Sequence, residues 1–208
     1  MTDCSRNETG ALAERVGQVA RKTRETDIAV TWRLDGAGRA DVDTGVPFFD
    51  HMLDQIARHS LTDLTARAVG DLEIDAHHTV EDTGIALGQA LRRALGDGRS
   101  IRRYGSAFVP FDETLAFAAV DVSGRPYLVF DAALPAQKVG NFDTELAEEF
   151  FRALAMNAGI TLHLKVHYGR NTHHMIEGLF KAFARALGDA VARDPRVLGV
   201  PSTKGALF

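Results

Sequence analysis

The chain is poor in cysteine, in long apolar runs and in surplus positive charge. Its 208 residues include one cysteine, Cys4. A single cysteine excludes an intrachain disulfide and leaves no means for a cysteine-rich metal site. No apolar run reaches membrane-spanning length, and no signal-peptide pattern opens the chain, so the expected location is the cytoplasm. Lys and Arg number 24 against 28 Asp and Glu, a formal net charge of −4. That balance argues against a general nucleic-acid binder while leaving room for a local basic pocket. Hydrophobic residues at 45% and charged residues at 25% are ordinary for a globular protein. The length suits one large domain, or two small ones sharing a core.

Histidine is what the chain has, and it is patterned. Four of its eight histidines fall in two near-identical stretches: HHTVED from His77 and HHMIEG from His173. The surrounding sequence is duplicated too. Glu25-Thr26 followed by a strand-like run and Gly36 matches Glu113-Thr114, a strand-like run and Gly124 at one constant offset. ALRRALGD closes the helical stretch after the first cluster, and AFARALGD closes that after the second. The helix bearing His51 corresponds to the helix bearing Glu148 and Glu149. Strands are expected at TDIAVTWRL, LTDLTARAV, ETLAFAAVDV, RPYLVF and TLHLKVHY. Helices are expected at FFDHMLDQIARHS, His77 to Leu95, TELAEEFFRALAMNA before a stop at Gly159, and 173–191. The predicted fold is α+β, with one compact catalytic domain made of two half-repeats, 15–100 and 101–208, behind a flexible tail over 1–14.

On a helix, His77 and Glu81 lie one turn apart on one face, as do His173 and Glu177. His78 and His174 point about 100° away from their neighbours, so each pair is expected to serve two ions. Adding His51 and Glu149 from equivalent helices gives two quartets: His51, His78, His173 and Glu177; and His77, Glu81, Glu149 and His174. Nitrogen and carboxylate donors without sulfur suit manganese, iron, cobalt or zinc. Four protein ligands on an octahedral ion leave two positions open for chemistry. His59, His163 and His167 have no such repeat and read as structural. Arg103 in IRRYG, Arg125 in SGRPY and Lys181, taken singly, read as solvated charge. PSTKG, with Ser202, Thr203, Lys204 and a flexible glycine, is a sensible phosphate grip, although not a P-loop.

Six stretches together resemble one family: PFFDHMLDQIARHS, DAHHTVEDTGIALGQAL, IRRYGSAFVPFDETLA, NAGITLH, THHMIEGLFKAFARAL and GVPSTKGAL. They are similar to imidazoleglycerol-phosphate dehydratases of the monofunctional form, from about residue 15 to the C-terminus. The resemblance implies a ribosomal protein S5 domain 2-like duplication with helices packed on mixed sheets. It implies a hydro-lyase of histidine biosynthesis that converts imidazole glycerol phosphate to imidazole acetol phosphate and water. It also implies two Mn²⁺ ions per active site, and trimers assembled into a 24-subunit homo-oligomer with sites between subunits. No nucleic acid or membrane partner is implied. Carried over by position, the metal ligands are His51, His77, His78, Glu81, Glu149, His173, His174 and Glu177. Some relatives have histidine at position 149. Substrate contacts fall on Glu25, His51, Arg103, Arg125, Lys181, Ser202, Thr203 and Lys204. Glu25 is the first choice for acid–base chemistry and Glu177 the second. Two rivals are a helical-bundle dimetal protein, which the strand-like stretches disfavour, and a scaffold glued by metal, which has no use for a phosphate grip.

Overall fold

A computed structural model describes residues 14–208; the tail expected over 1–14, Cys4 included, lies outside the described residues except for Glu14. The first half contains β1 (Val16–Lys22), β2 (Thr26–Arg33), β3 (Ala40–Asp43), α1 (Pro47–Ser60), β4 (Asp63–Gly70) and α2 (His77–Leu95). The second contains β5 (Tyr104–Phe111), β6 (Thr114–Val122), β7 (Tyr127–Asp131), a small hairpin of β8 (Lys138–Val139) and β9 (Phe142–Asp143), α3 (Leu146–Ala158), β10 (Ile160–Tyr168) and α4 (Thr172–Val191). Strand order repeats. One sheet runs β1-β2-β4-β3 and the other β5-β6-β10-β7, each with its first three strands antiparallel and its last pair parallel. This is the expected α+β duplication, and the β8–β9 hairpin is a feature of the second half alone.

Helices form where the apolar spacing required them. α1 buries Phe49, Met52, Leu53 and Ile56. It begins with Pro47 at its first turn, where a missing N–H costs nothing, and ends on Leu61 in the left-handed region at φ 58°. α3 ends on Gly159 at φ 70°, the predicted stop. Strands β2 and β6 alternate buried and accessible residues, so each sheet commits one face to the core.

Packing crosses between the halves. α2 lies on β1 and β2 and against α3; α4 lies on β5 and β6 and against α1. The four helices are therefore shared between two outer sheets around one core that includes Trp32, Phe49, Phe142, Phe150, Phe151, Phe180 and Phe183. The helices approach the strands at backbone distance. A Cβ on Gly17 of β1 would overlap the carbonyl of Ala90 in α2, and a Cβ on Gly105 of β5 would overlap that of Ala186 in α4. Both glycines occupy one place in the repeat, so the duplication extends to atomic packing. No helix among the described residues is long and apolar enough to cross a membrane.

Candidate metal and substrate site

Both histidine pairs open a helix, and in the same way. The Asp75 side chain accepts a hydrogen bond from the His77 N–H at 2.8 Å, and that of Asn171 accepts from the His173 N–H at 3.0 Å. Each turn fixes the backbone at the first histidine of its pair, which opens α2 at His77 and follows Thr172 in α4. The glutamate four residues on then lies below the first histidine. His173 Nε2 is 3.0 Å from Glu177 Oε2, and His77 Nε2 is 3.8 Å from Glu81 Oε2.

The crossing of α1 over α4 completes the first grouping. His51 Nε2 lies 3.4 Å from the same Glu177 Oε2. His51, His173 and Glu177 offer three donor atoms all within 4.8 Å of one another. Glu177 is a buried carboxylate at 7% side-chain exposure, and its other oxygen takes Lys181 Nζ at 2.7 Å. Burial raises its pKa, but the Lys181 hydrogen bond and charge, the His173 contact and the His51 charge outweigh that, and the net shift is downward. The carboxylate is therefore kept ionised. A chain of contacts runs along α1 behind His51: Gln55 Nε2 lies 3.4 Å from His51 Nδ1, and Gln55 Oε1 lies 3.1 Å from His59 Nε2. Burial, followed by the Lys181 charge, lowers the pKa of His59.

Within one chain the two expected quartets do not close. Only His51, His173 and Glu177 gather among the described residues. His78 instead sets Nδ1 2.9 Å from Asp71 Oδ2, and His174 sets Nδ1 2.8 Å from Glu113 Oε2. The Asp71 hydrogen bond raises the pKa of His78 against the opposing effect of desolvation. Hydrogen bonds from His174, Asn171 and Arg170 hold the Glu113 carboxyl far below the usual range. His174 Nε2 lies 3.9 Å from Asp112, which is exposed in the β5–β6 turn. Glu149 lies on α3, which packs on α2 as α1 packs on α4, but its carboxylate is 3.7 Å from Arg152 Nε rather than joined to His77 and Glu81.

The cationic residues divide into two places. Asp121 at the end of β6 receives Arg103 Nε at 2.8 Å and Arg125 Nη2 at 3.1 Å, and Arg103 Nη1 donates to the Pro201 carbonyl at 3.0 Å. Arg103, at φ 74°, thereby ties the PSTKG segment to the sheet. There the Ser202 hydroxyl accepts from the Lys204 N–H at 3.2 Å, and Thr203 and Lys204 are exposed. Lys181 does not join this corner. It sits on Glu177, with its ammonium 4.1 Å from the centre of the Phe111 ring. Phe111 in turn packs on His174 at 4.7 Å. Glu25 is exposed in the β1–β2 turn, held by Thr23 Oγ1, which accepts from the backbone N–H of Glu25 and of Thr26. Asp71, Gln55 and Phe111 were not expected in the site. The one signal for Glu113 was its repeat equivalence to Glu25.

Fold and site together define an internally duplicated α+β protein that carries a histidine–carboxylate cluster at the head of the last helix in each half. The chain belongs to the imidazoleglycerol-phosphate dehydratase family, whose model matches residues 44–187. It is 63% identical over 194 residues to the imidazoleglycerol-phosphate dehydratase of Acetivibrio thermocellus, covering 93% of this chain and all of that one. The Clostridium acetobutylicum enzyme of the same name is 56% identical over 194 residues, covering 93% of this chain and 98% of its own length. The structure superposes on the Staphylococcus aureus imidazoleglycerol-phosphate dehydratase with a TM-score of 0.79 at 45% identity, over 86% of this chain and 99% of that one. It superposes on the Pyrococcus furiosus protein with a TM-score of 0.78 at 35% identity, over 91% and 100% of the two chains.

Proposed function

We propose that the chain is a metal-dependent hydro-lyase that converts imidazole glycerol phosphate to imidazole acetol phosphate and water in histidine biosynthesis. The observation that carries the metal dependence is the convergence of His51, His173 and Glu177 on one point. The donor set fits a divalent ion such as Mn²⁺: two imidazole nitrogens and an ionised carboxylate, with Lys181 holding the oxygen that faces away. His78 would supply the fourth donor to that ion, and His77, Glu81, Glu149 and His174 would hold a second. His78 and His174 do not reach a cluster within their own chain, which supports sites shared between subunits, in trimers built into a 24-subunit particle. When bound, the ions supply Lewis acidity to the substrate's imidazole ring.

The chain's own residues then have distinct tasks. The hydroxyl and a hydrogen on neighbouring side-chain carbons leave as water, and the resulting enol becomes the ketone. Glu25 takes and returns protons, because it is an exposed carboxylate with no side-chain hydrogen bond or ion pair among the described residues. Glu177 is a poor proton carrier, since both of its oxygens are engaged. Arg103, Arg125, Ser202, Thr203 and Lys204 hold the phosphate, which fixes the reacting carbons near the ions. Lys181 reaches the substrate from the Glu177 side rather than from the phosphate corner. The test is turnover of imidazole glycerol phosphate with added Mn²⁺, before and after chelation, in wild type and in Glu25→Gln. Loss of turnover on chelation and recovery with Mn²⁺ are expected. The variant should retain metal and substrate but turn over at least about a hundredfold more slowly. Undiminished turnover after exhaustive chelation removes the metal reading, and normal turnover by the variant removes Glu25.

A further inference from the structure

Glu25 and Glu113 occupy one place in the repeat, each just ahead of a buried threonine that opens the second strand of its sheet, Thr26 in β2 and Thr114 in β6. Their surroundings differ completely. Glu113 is immobilised. Its Oε1 accepts from the N–H of Arg170 at 3.0 Å, the N–H of Asn171 at 2.7 Å and the Thr114 hydroxyl at 3.3 Å. Its Oε2 faces His174 Nδ1 at 2.8 Å. Glu25 has none of these ties among the described residues. The equivalent histidine, His78, has a carboxylate partner of different origin: Asp71, from the loop between β4 and α2, at 2.9 Å. Asp71 is sheltered, and its Oδ1 has no hydrogen-bond partner among the described residues, so the bond to His78 is the one hydrogen bond of its side chain there.

We infer that the duplicated glutamates have divided their labour: Glu113 and Asp71 are positioning residues that hold the tautomer and ring plane of His174 and His78, and Asp71's taking that task on the first cluster leaves Glu25 available for chemistry. A carboxylate against Nδ1 can only accept. The neutral ring must therefore carry its proton on Nδ1 and present a bare Nε2 outward. That is the form a metal requires. Neither histidine joins the cluster of its own chain, and neither has the glutamate one turn on that His77 and His173 have, so their direction must be fixed from behind. The inference rests on the metal reading for its purpose, but the geometry of the two pairs stands independently of it.

Glu113→Gln gives a sharp test. Three donors already claim Oε1, so the new amide oxygen stays with them and the amide NH₂ faces His174. Nδ1 must then accept, and the proton moves to Nε2. Magic-angle-spinning ¹⁵N spectra of metal-free, histidine-labelled full chain would read bare and protonated ring nitrogens, with single His→Gln variants for assignment. Wild type should show Nδ1–H with bare Nε2 at both positions. Glu113→Gln should invert His174 and leave His78 alone, whereas Asp71→Ala should release His78 into a mixture and leave His174 alone. Mn²⁺ affinity, read from the free-ion electron paramagnetic resonance signal, should fall about 10- to 100-fold in each. Glu25→Gln should alter neither ring and leave Mn²⁺ affinity unchanged. A His174 that keeps its proton on Nδ1 in Glu113→Gln overturns the inference, as does a Glu25→Gln variant that weakens Mn²⁺ as much as Glu113→Gln does. If the rings respond as expected but wild type takes up no Mn²⁺, the positioning stands and the metal reading fails.

Discussion

Lys181 and Glu177 form an ion pair on one face of α4, four residues apart and 2.7 Å between charged atoms, at 19% and 7% side-chain exposure. Lys181→Met keeps the stem that packs near Phe111 but removes the charge. Glu177 is then left buried with only the imidazoles of His51 and His173. Breaking a fully buried pair by removing one partner costs about 3–5 kcal/mol. Lys181 still touches water, which brings the cost to the bottom of that range or just below it, about 2–3 kcal/mol. For a chain of this size each kcal/mol is about 2–4 °C, so the metal-free variant should melt about 5–10 °C below wild type at pH 7. The sign with pH follows from the lowered pKa of Glu177. Its contribution is present above the unfolded carboxyl value and is lost as pH falls through the folded value, so the deficit should shrink in acid. Mn²⁺ at about 100 times its dissociation constant stabilises by about 2.7 kcal/mol. Since the ion would supply the positive partner that Glu177 has lost, it should raise the variant's Tm at least as much as that of wild type. Differential scanning fluorimetry at fixed protomer concentration, with and without Mn²⁺, reads both effects. A metal-free Tm within 1 °C of wild type would refute the energetic account of the pair, and a deficit that widens on adding Mn²⁺ would refute Glu177 as the ligand.

Other perturbations address the fold and the acid limb. Gly17→Ala and Gly105→Ala each force a Cβ into a helix carbonyl, so each should cost about 3 kcal/mol or more and reduce soluble yield, whereas Gly140→Ala, with open space around it, should pay only for its φ of 60°. Equal urea midpoints for all three would contradict the backbone-distance packing. Glu113→Gln should lose urea stability at pH 7 relative to wild type. The lowered pKa of Glu113 means that this advantage exists above the unfolded carboxyl value and fades as pH drops toward the folded one. A gap that grows between pH 5 and pH 3 would show that the sign is wrong.

The helices were legible because their burial is periodic: His77 to Leu95 and the stop at Gly159 both fall where apolar spacing and a left-handed glycine require. The strands β1, β3 and β5 were not. The inward positions of β1 include Gly17, Val19 and Arg21, and β5 carries Gly105 and Pro110 and has no buried residue. No apolar alternation marks such strands, because close helix packing there demands absence of a side chain rather than a hydrophobic one. The ligand candidates were legible from repetition. Their supports were not, because Asp71 and Gln55 have no repeated counterpart, and a single acidic or amide residue in a loop or helix is indistinguishable from solvated surface until the fold brings it against a ring. Lys181 reads as solvated charge by itself and as a substrate contact by resemblance; one helical turn from Glu177, it has that carboxylate as its near partner.

The duplication also explains why neither half would carry a cluster by itself. His51 belongs to the first half, and His173 and Glu177 belong to the second; they meet because α1 packs on α4 rather than on a helix of its own half. The mirrored arrangement sets Glu149 of the second half on α3, against the α2 of the first half that carries His77 and Glu81. A fragment holding 15–100 alone would keep one intact His-His-x-x-Glu phrase and His51, yet it would lack the His173 and Glu177 with which His51 converges. It would also expose the helix faces that now pack on the other half's helices. Stability and donor geometry therefore depend on the same two helix crossings. A substitution that loosens α1 from α4, such as one placing a Cβ on Gly188 against the backbone of Ser60, should separate His51 from His173 even though it touches no ligand.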